Sequence, residues 1–207
     1  SFRETMTDFF ATKRINNKEF ADSLAYLYSM YSFEALSSCQ NLLSSHDVKR
    51  FLNRCGNDED GILGAIFLQA TFPGIAGIYY GDEIGLGGAD DPFNREPFPW
   101  HNKESWNSTI LEFTKKLMNI KKSNSIFKYG RFELLDENEQ FVAFRRILKD
   151  ESMLCIINRS KSNDDFNIIS NAHSVNVIHG DCKANLDQGM IKVTDNSGNI
   201  GIILHEQ

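Results

Sequence analysis

Several features are scarce or missing in this 207-residue chain, and most of them exclude a class of function. Cysteine is sparse: Cys39, Cys55, Cys155 and Cys182 lie far apart with neither CxxC nor CxxH spacing. Zinc and thioredoxin-type sites therefore have no support, and the thiols read as reduced packing residues with a cytoplasmic address. No apolar run approaches the ~18 residues of a spanning helix, and Ser1-Phe2-Arg3-Glu4 does not open a signal peptide, so no membrane partner is expected. An excess of positive charge is also lacking. Lys and Arg number 22 against 28 Asp and Glu, a net charge of −6 that disfavours nucleic acid and anionic surfaces. There is no initiator Met, which suggests an internal start, and neither an internal repeat nor a low-complexity tract is found.

What is present is an ordinary globular composition, 41% hydrophobic and 24% charged, enough to bury a core without metals or disulfides. Phe20, Leu24, Leu27, Tyr28, Tyr31 and Ala35 recur every three or four positions and predict a helix over Lys18–Ser38. Asn41-Leu42-Leu43 then reads as a short buried strand ending in polar Ser44-Ser45-His46-Asp47. A second helix is expected over Asp58–Gln69, capped by Asp58 or Asp60 and broken before Pro73-Gly74, followed by a strand over Ile75–Tyr80. Strand, helix, strand is a βαβ unit, so the two strands should run parallel. Gly81–Asn102 reads as a long ordered loop and Ser108–Ser123 as a helix, with a boundary at Tyr129-Gly130. Beyond Arg131 about seven short β runs separated by Asn, Asp, Ser and Gly turns predict a sandwich or small barrel. The fold class is thus α/β followed by all-β, with domains at residues 1–129 and 130–207.

Three ordered motifs carry a family resemblance. Asn41-Leu42-Leu43-Ser44-Ser45-His46-Asp47-Val48-Lys49-Arg50 resembles the fourth conserved region of the α-amylase superfamily (glycoside hydrolase family 13). Gly77-Ile78-Tyr79-Tyr80-Gly81-Asp82-Glu83-Ile84-Gly85-Leu86 resembles that family's eighth barrel strand. Asp91-Pro92-Phe93-Asn94-Arg95 with Trp100 resembles the following loop in neopullulanases, cyclomaltodextrinases and maltogenic amylases. Val48 stands where the family often has Thr. The resemblance implies a C-terminal fragment: strands seven and eight of a TIM-type (β/α)8 barrel with their helices, then a C-terminal antiparallel β-sandwich.

In such barrels the site is built at the C-terminal strand ends, which is where His46-Asp47 falls. Retaining glycoside hydrolysis uses a nucleophilic carboxylate and an acid/base carboxyl about 5–5.5 Å apart, and a further carboxylate can strengthen sugar hydrogen bonds as charge develops. The resemblance assigns that third role to Asp47, hydroxyl hydrogen bonding to His46, and sugar contact to Asp91 and Arg95. It places the nucleophile and the acid/base on strands four and five, outside this chain, so the chain by itself is expected to be inactive. The implied parent is a retaining α-glucan hydrolase acting on α-1,4 bonds, with α-1,6 bonds or cyclodextrins as further substrates. No cofactor is expected in this chain, any calcium belonging to absent segments.

Alternatives stay open at several positions. Arg50 fits a substrate contact or a structural ion pair, and Asp82-Glu83 fits structural roles because consecutive strand side chains point to opposite faces. Asp91 and Arg95 also fit a loop-internal salt bridge, and Trp100 fits either pyranose stacking or packing. His173, His179 and His205 read as solvated or satisfied. At the level of the whole chain the rivals are a non-catalytic carbohydrate-binding or scaffolding module and a catalytically inactive amylase-like subunit. Two strands cannot close a barrel, so exposed edges are expected to pair between copies into a homo-oligomer.

Overall fold

The computed structural model describes residues 1–162 and 165–207. At the start, the Ser1 side chain and Glu4 form a capping box on α1 (Phe2–Met6), which runs into a π-helical turn at Thr7–Ala11. That wide turn turns Phe9 and Phe10 into the core, where the Phe9 ring stacks on Phe20 at 3.8 Å. A second capping box, Asn16 with Glu19, opens α2 (Asn17–Ser29). The single helix expected over Lys18–Ser38 is in fact two. The chain breaks at Met30–Ser32, where the Ser32 hydroxyl accepts the Ala35 N–H and starts α3 (Phe33–Ser38). Tyr31 and Ala35, which extend the apolar spacing across the break, are exposed, and α3 buries Leu36 instead, so the spacing continues without a continuous buried stripe, and periodicity alone does not register a new cap.

Next come β1 (Gln40–Leu42), α4 (Phe51–Arg54), α5 (Glu59–Thr71) and β2 (Ile75–Gly77). The two strands pair in parallel, Gln40 opposite Ile75 and Leu42 opposite Gly77, as a βαβ unit requires. Asp58 caps α5 through the Asp60 N–H, and the helix ends at Phe72 before Pro73. From Gly61 to Thr71 every residue of α5 is buried, so it is a central helix with no solvent face. The expected strand over Ile75–Tyr80 stops at Gly77, and Asp82–Ile84 forms a single 3-10 turn, so the alternation argument for Asp82 and Glu83 does not apply.

After the loop, α6 (Ser108–Ser123) begins at an Asn107 cap, and α7 (Ser125–Tyr129) leads into β3 (Arg131–Glu137). The remaining strands are β4 (Val142–Leu148), β5 (Glu151–Ile157), β6 (Asp165–Ile169), β7 (Val175–His179), β8 (Cys182–Asp187), β9 (Met190–Asp195) and β10 (Gly201–Glu206). They make two open antiparallel sheets, β3-β4-β5-β10-β7 and β6-β9-β8. Strand β8 is one that the sequence pattern missed: it has few buried side chains, so its sequence carries little hydrophobic signal.

Alternation along the five-stranded sheet builds three layers. Met153, Cys155 and Ile157 face a cluster shared with Phe9, Phe20, Phe51 and the apolar residues of α5. Leu154 and Ile156 face a second cluster with Phe166, Ile168, Ile191 and Val193 of the smaller sheet. Helices, large sheet and small sheet are thereby stacked on two cores. No helix among the described residues is long and apolar enough to cross a membrane.

Candidate active site

Strand β1 ends at Leu42, and the buried Leu43 and Ser44 carry the chain onward, with the Ser44 hydroxyl accepting the Phe51 N–H at 2.9 Å. A tight turn follows, closed by the Val48 N–H donating to the Ser45 carbonyl at 3.3 Å. His46 and Asp47 occupy its tip. Their side chains meet at 3.2 Å and are 67% and 70% exposed, so both are open to a ligand.

The loop after β2 returns to this turn. Asn94, in the 3-10 turn Phe93–Arg95, is buried and donates its side-chain amide to the carbonyls of His46 and Val48, both at 3.0 Å. Arg95 Nε donates to the same His46 carbonyl at 3.0 Å and lies 3.1 Å from Asp91 Oδ1. The fold thus joins the four residues picked out by sequence, His46, Asp47, Asp91 and Arg95, through one continuous chain of contacts. The loop-internal Asp91–Arg95 ion pair is present, and both side chains remain about half exposed or more, at 62% and 49%.

Beneath this surface lies Arg50, fully buried, whose Nη1 donates to the Tyr80 carbonyl at 2.7 Å. Its guanidinium sits 4.7 Å from the Tyr79 ring centroid and 4.8 Å from that of Tyr80, and 3.5 Å from Asp82 Oδ1. Burial raises the Asp82 carboxyl to about 7, against the opposing pull of Arg50. Of the two readings of Arg50, the ion pair is the one formed. Gly81 makes the approach feasible: its φ is +90°, and a Cβ there would stand 2.9 Å from Leu86 Cβ and 3.2 Å from Arg50 Nη1.

Other nominated residues fall outside this cluster. Trp100 is 65% exposed and packs on Phe98 at 4.3 Å and on Trp106 at 6.1 Å. His173 is exposed. His205 lies 3.6 Å from Glu151 and, against expectation, its buried Nε2 has no hydrogen-bond partner among the described residues. His179 also departs from expectation, being buried between Phe67 and Phe113 with no hydrogen-bond partner for Nδ1 among the described residues. Among the described residues no group of three or more His, Cys, Asp or Glu side chains is arranged to hold a metal ion. Sequence reasoning placed Asn94 inside the Asp91–Arg95 motif but gave it no role, because an Asn in a Gly/Pro/Asp-rich loop resembles any turn residue.

The model of the alpha-amylase catalytic domain matches residues 1–123, more than half of the chain. The chain belongs to the α-amylase family. Among its curated relatives, neopullulanase 2 of Thermoactinomyces vulgaris is 36% identical over 159 residues, covering 76% of this chain and 27% of that protein. A cyclomaltodextrinase of Thermoanaerobacter pseudethanolicus is 34% identical over 163 residues, covering 79% and 28%. The chain therefore spans little more than a quarter of either α-amylase-family relative. The debranching enzyme from Nostoc punctiforme superposes with a TM-score of 0.86 at 27% identity, covering 98% of this chain and 46% of that one. A cyclomaltodextrinase structure gives 0.88 at 22% identity, a likeness of fold alone.

Proposed function

We propose that this chain forms part of a retaining α-glucan hydrolase in which Asp47 stabilises the transition state, His46 binds hydroxyls of the same sugar, and Asp91 and Arg95 contact the adjoining sugar. The observation that carries the reading is the exposed His46–Asp47 pair on the turn beyond a parallel β-strand, held by the loop bearing Asp91 and Arg95. Membership of the α-amylase family supports the chemistry. On this reading β1 and β2 are barrel strands seven and eight, residues 1–129 are barrel, and residues 130–207 form a terminal β-sandwich.

As positive charge builds on the reacting sugar, an ionised carboxylate fixed beside it gains more interaction with the transition state than with the ground state, which is what lowers a barrier. The nucleophile and acid/base are assigned to no residue among these 207. The substrate class is α-1,4-linked glucan, with α-1,6 bonds or cyclodextrins suggested by relatives named neopullulanase and cyclomaltodextrinase. No cofactor, nucleic acid or membrane enters this reading, and the proposed address is cytoplasmic. The rival carbohydrate-binding module is disfavoured because Phe132, Phe141, Phe144 and Phe166, which would have to stack on sugar, are all buried.

The test is kinetic. In the enzyme as its gene encodes it, Asp47→Asn should lower kcat on maltooligosaccharides about a hundredfold or more, while the 207-residue chain alone should not turn over starch or cyclodextrin. Hydrolysis by the isolated chain, or a variant within about threefold of the parent, would refute the proposal.

A further inference from the structure

The tip that carries His46 and Asp47 has little of its own to hold it. Both side chains point to solvent and touch each other. The backbone N–H of Asp47 donates to the Ser45 hydroxyl at 3.2 Å, and the turn closes on a single bond from Val48 to Ser45 at 3.3 Å. A two-residue tip of this kind is ordinarily mobile. Here, however, the carbonyls on both sides of Asp47, those of His46 and Val48, are taken by the same buried nitrogen, Asn94 Nδ2, at 3.0 Å each. A primary amide has two N–H donors on one nitrogen, so each carbonyl receives one. The opposite amide orientation would set Oδ1 against two carbonyl oxygens, which fixes the assignment.

We propose that Asn94 is the positioning residue of this site: its amide holds the His46–Asp47 and Val48–Lys49 peptide units, which bracket Asp47, and so sets the direction in which the Asp47 carboxylate leaves the turn. The inference rests on the reading of Asp47 given above. Residue chemistry makes Asn specific to the role. Leu has its shape without donors, Asp has acceptors only, and Gln carries the amide one methylene too far for the same backbone separation. Arg95 adds a third hydrogen bond, to the His46 carbonyl alone, so it fixes one side of the tip. The main-chain carbonyl of Asn94 is met by the Tyr79 hydroxyl at 3.5 Å, which ties the clamp to the chain leaving β2. A carboxylate that must meet a developing charge tolerates little displacement, since an error of about 1 Å can cost about a hundredfold in rate.

The test is a double-mutant cycle in the enzyme as its gene encodes it, using an activated aryl α-maltoside. Asn94→Leu should lower kcat about tenfold to a hundredfold, with KM within about threefold of the parent. In an Asp47→Asn background the same change should cost less than about twofold, because the group being positioned is gone. Should Asp47→Asn abolish measurable turnover, the cycle is read as the Kd of a deoxynojirimycin-type inhibitor, whose cationic ring mimics the developing charge. Equal losses in both backgrounds would mean that Asn94 serves general stability and would overturn the inference. If Asn94→Leu fails to fold, Asn94→Ser, which leaves room for a water, carries the same cycle with the same two outcomes. If Asp47→Asn alone leaves kcat intact, the catalytic reading of Asp47 has failed, a result separate from any result on Asn94.

Discussion

Single residues in this chain are stabilised or strained by what surrounds them rather than by their type. His179 is the clearest case: an imidazole enclosed by the rings of Phe67 and Phe113, with Nδ1 unpaired. Burial lowers its pKa from 6.5 to about 4, and the charge of Lys116 lowers it further in the same direction. Between those two values the unfolded chain binds a proton that the folded chain refuses. Folding stability is therefore full above about pH 6.5 and falls as the pH drops toward 4, by a total on the order of 3 kcal/mol. His179→Phe should flatten this part of the pH–stability curve and leave stability at neutral pH unchanged or higher, since it removes an unpaired buried polar atom. Urea titrations at pH 7 and pH 5 provide the check, and an unchanged difference between them would refute the assignment. Asp82, paired with Arg50, was legible only as one member of an acidic doublet; that it lies inside the fold follows from a 3-10 turn which no local pattern announced.

At the scale of elements, α5 shows how packing reverses a local preference. Gly64 lies inside this helix, where Gly to Ala ordinarily gains about 1 kcal/mol. A Cβ at Gly64 would lie 2.2 Å from Cε1 of Phe10, itself buried against Phe9 and Phe20. Gly64→Ala is accordingly expected to lower stability by about 1–3 kcal/mol, seen as a lower thermal midpoint; a raised midpoint would show that the Phe10 ring yields freely. The helices expected near Asp58–Gln69 and over Ser108–Ser123 appear within two residues of those bounds because caps and apolar spacing are local signals. The length of β2 was not local. Ile78–Tyr80 is as apolar and aromatic as Ile75–Gly77, yet β1 offers a partner only as far as Leu42, so pairing stops at Gly77.

For the whole molecule, the helical layer and the large sheet are joined by more than apolar contact. Arg146 of β4 is buried and donates to the carbonyls of Thr71 at 2.6 Å and Gly130 at 2.7 Å, and burial lowers its pKa to about 10. Arg159 donates to the carbonyls of Phe9 and Ile15, both at 2.9 Å, and lies 4.2 Å from the Phe9 ring centroid. Two cations from the β half thus satisfy main-chain acceptors of the helical half, which makes the pair resist separation. The parallel pair β1-β2 is different: it forms a two-stranded sheet, and Ile75 is 49% exposed. Unpaired backbone beside an exposed apolar side chain favours association through strand edges. Light scattering on the 207-residue chain at tens of micromolar is expected to detect dimers or larger species, and a monodisperse monomer at all concentrations would refute this.

The sequence by itself determined the order of most helical and β segments, the parallel βαβ unit, and the turn carrying His46 and Asp47, because caps, apolar periods and motifs act over a few residues. It also picked out Asp91 and Arg95, through a motif rather than a geometry. Only the tertiary structure decided that these four residues share one chain of contacts, that Asn94 holds the tip, that Arg50 and Asp82 pair beneath it, and that one core is shared between helices and sheet. Each of those facts joins residues distant in sequence, and a contact of that kind is fixed by which surfaces the packed chain brings together, a quantity no window of sequence contains.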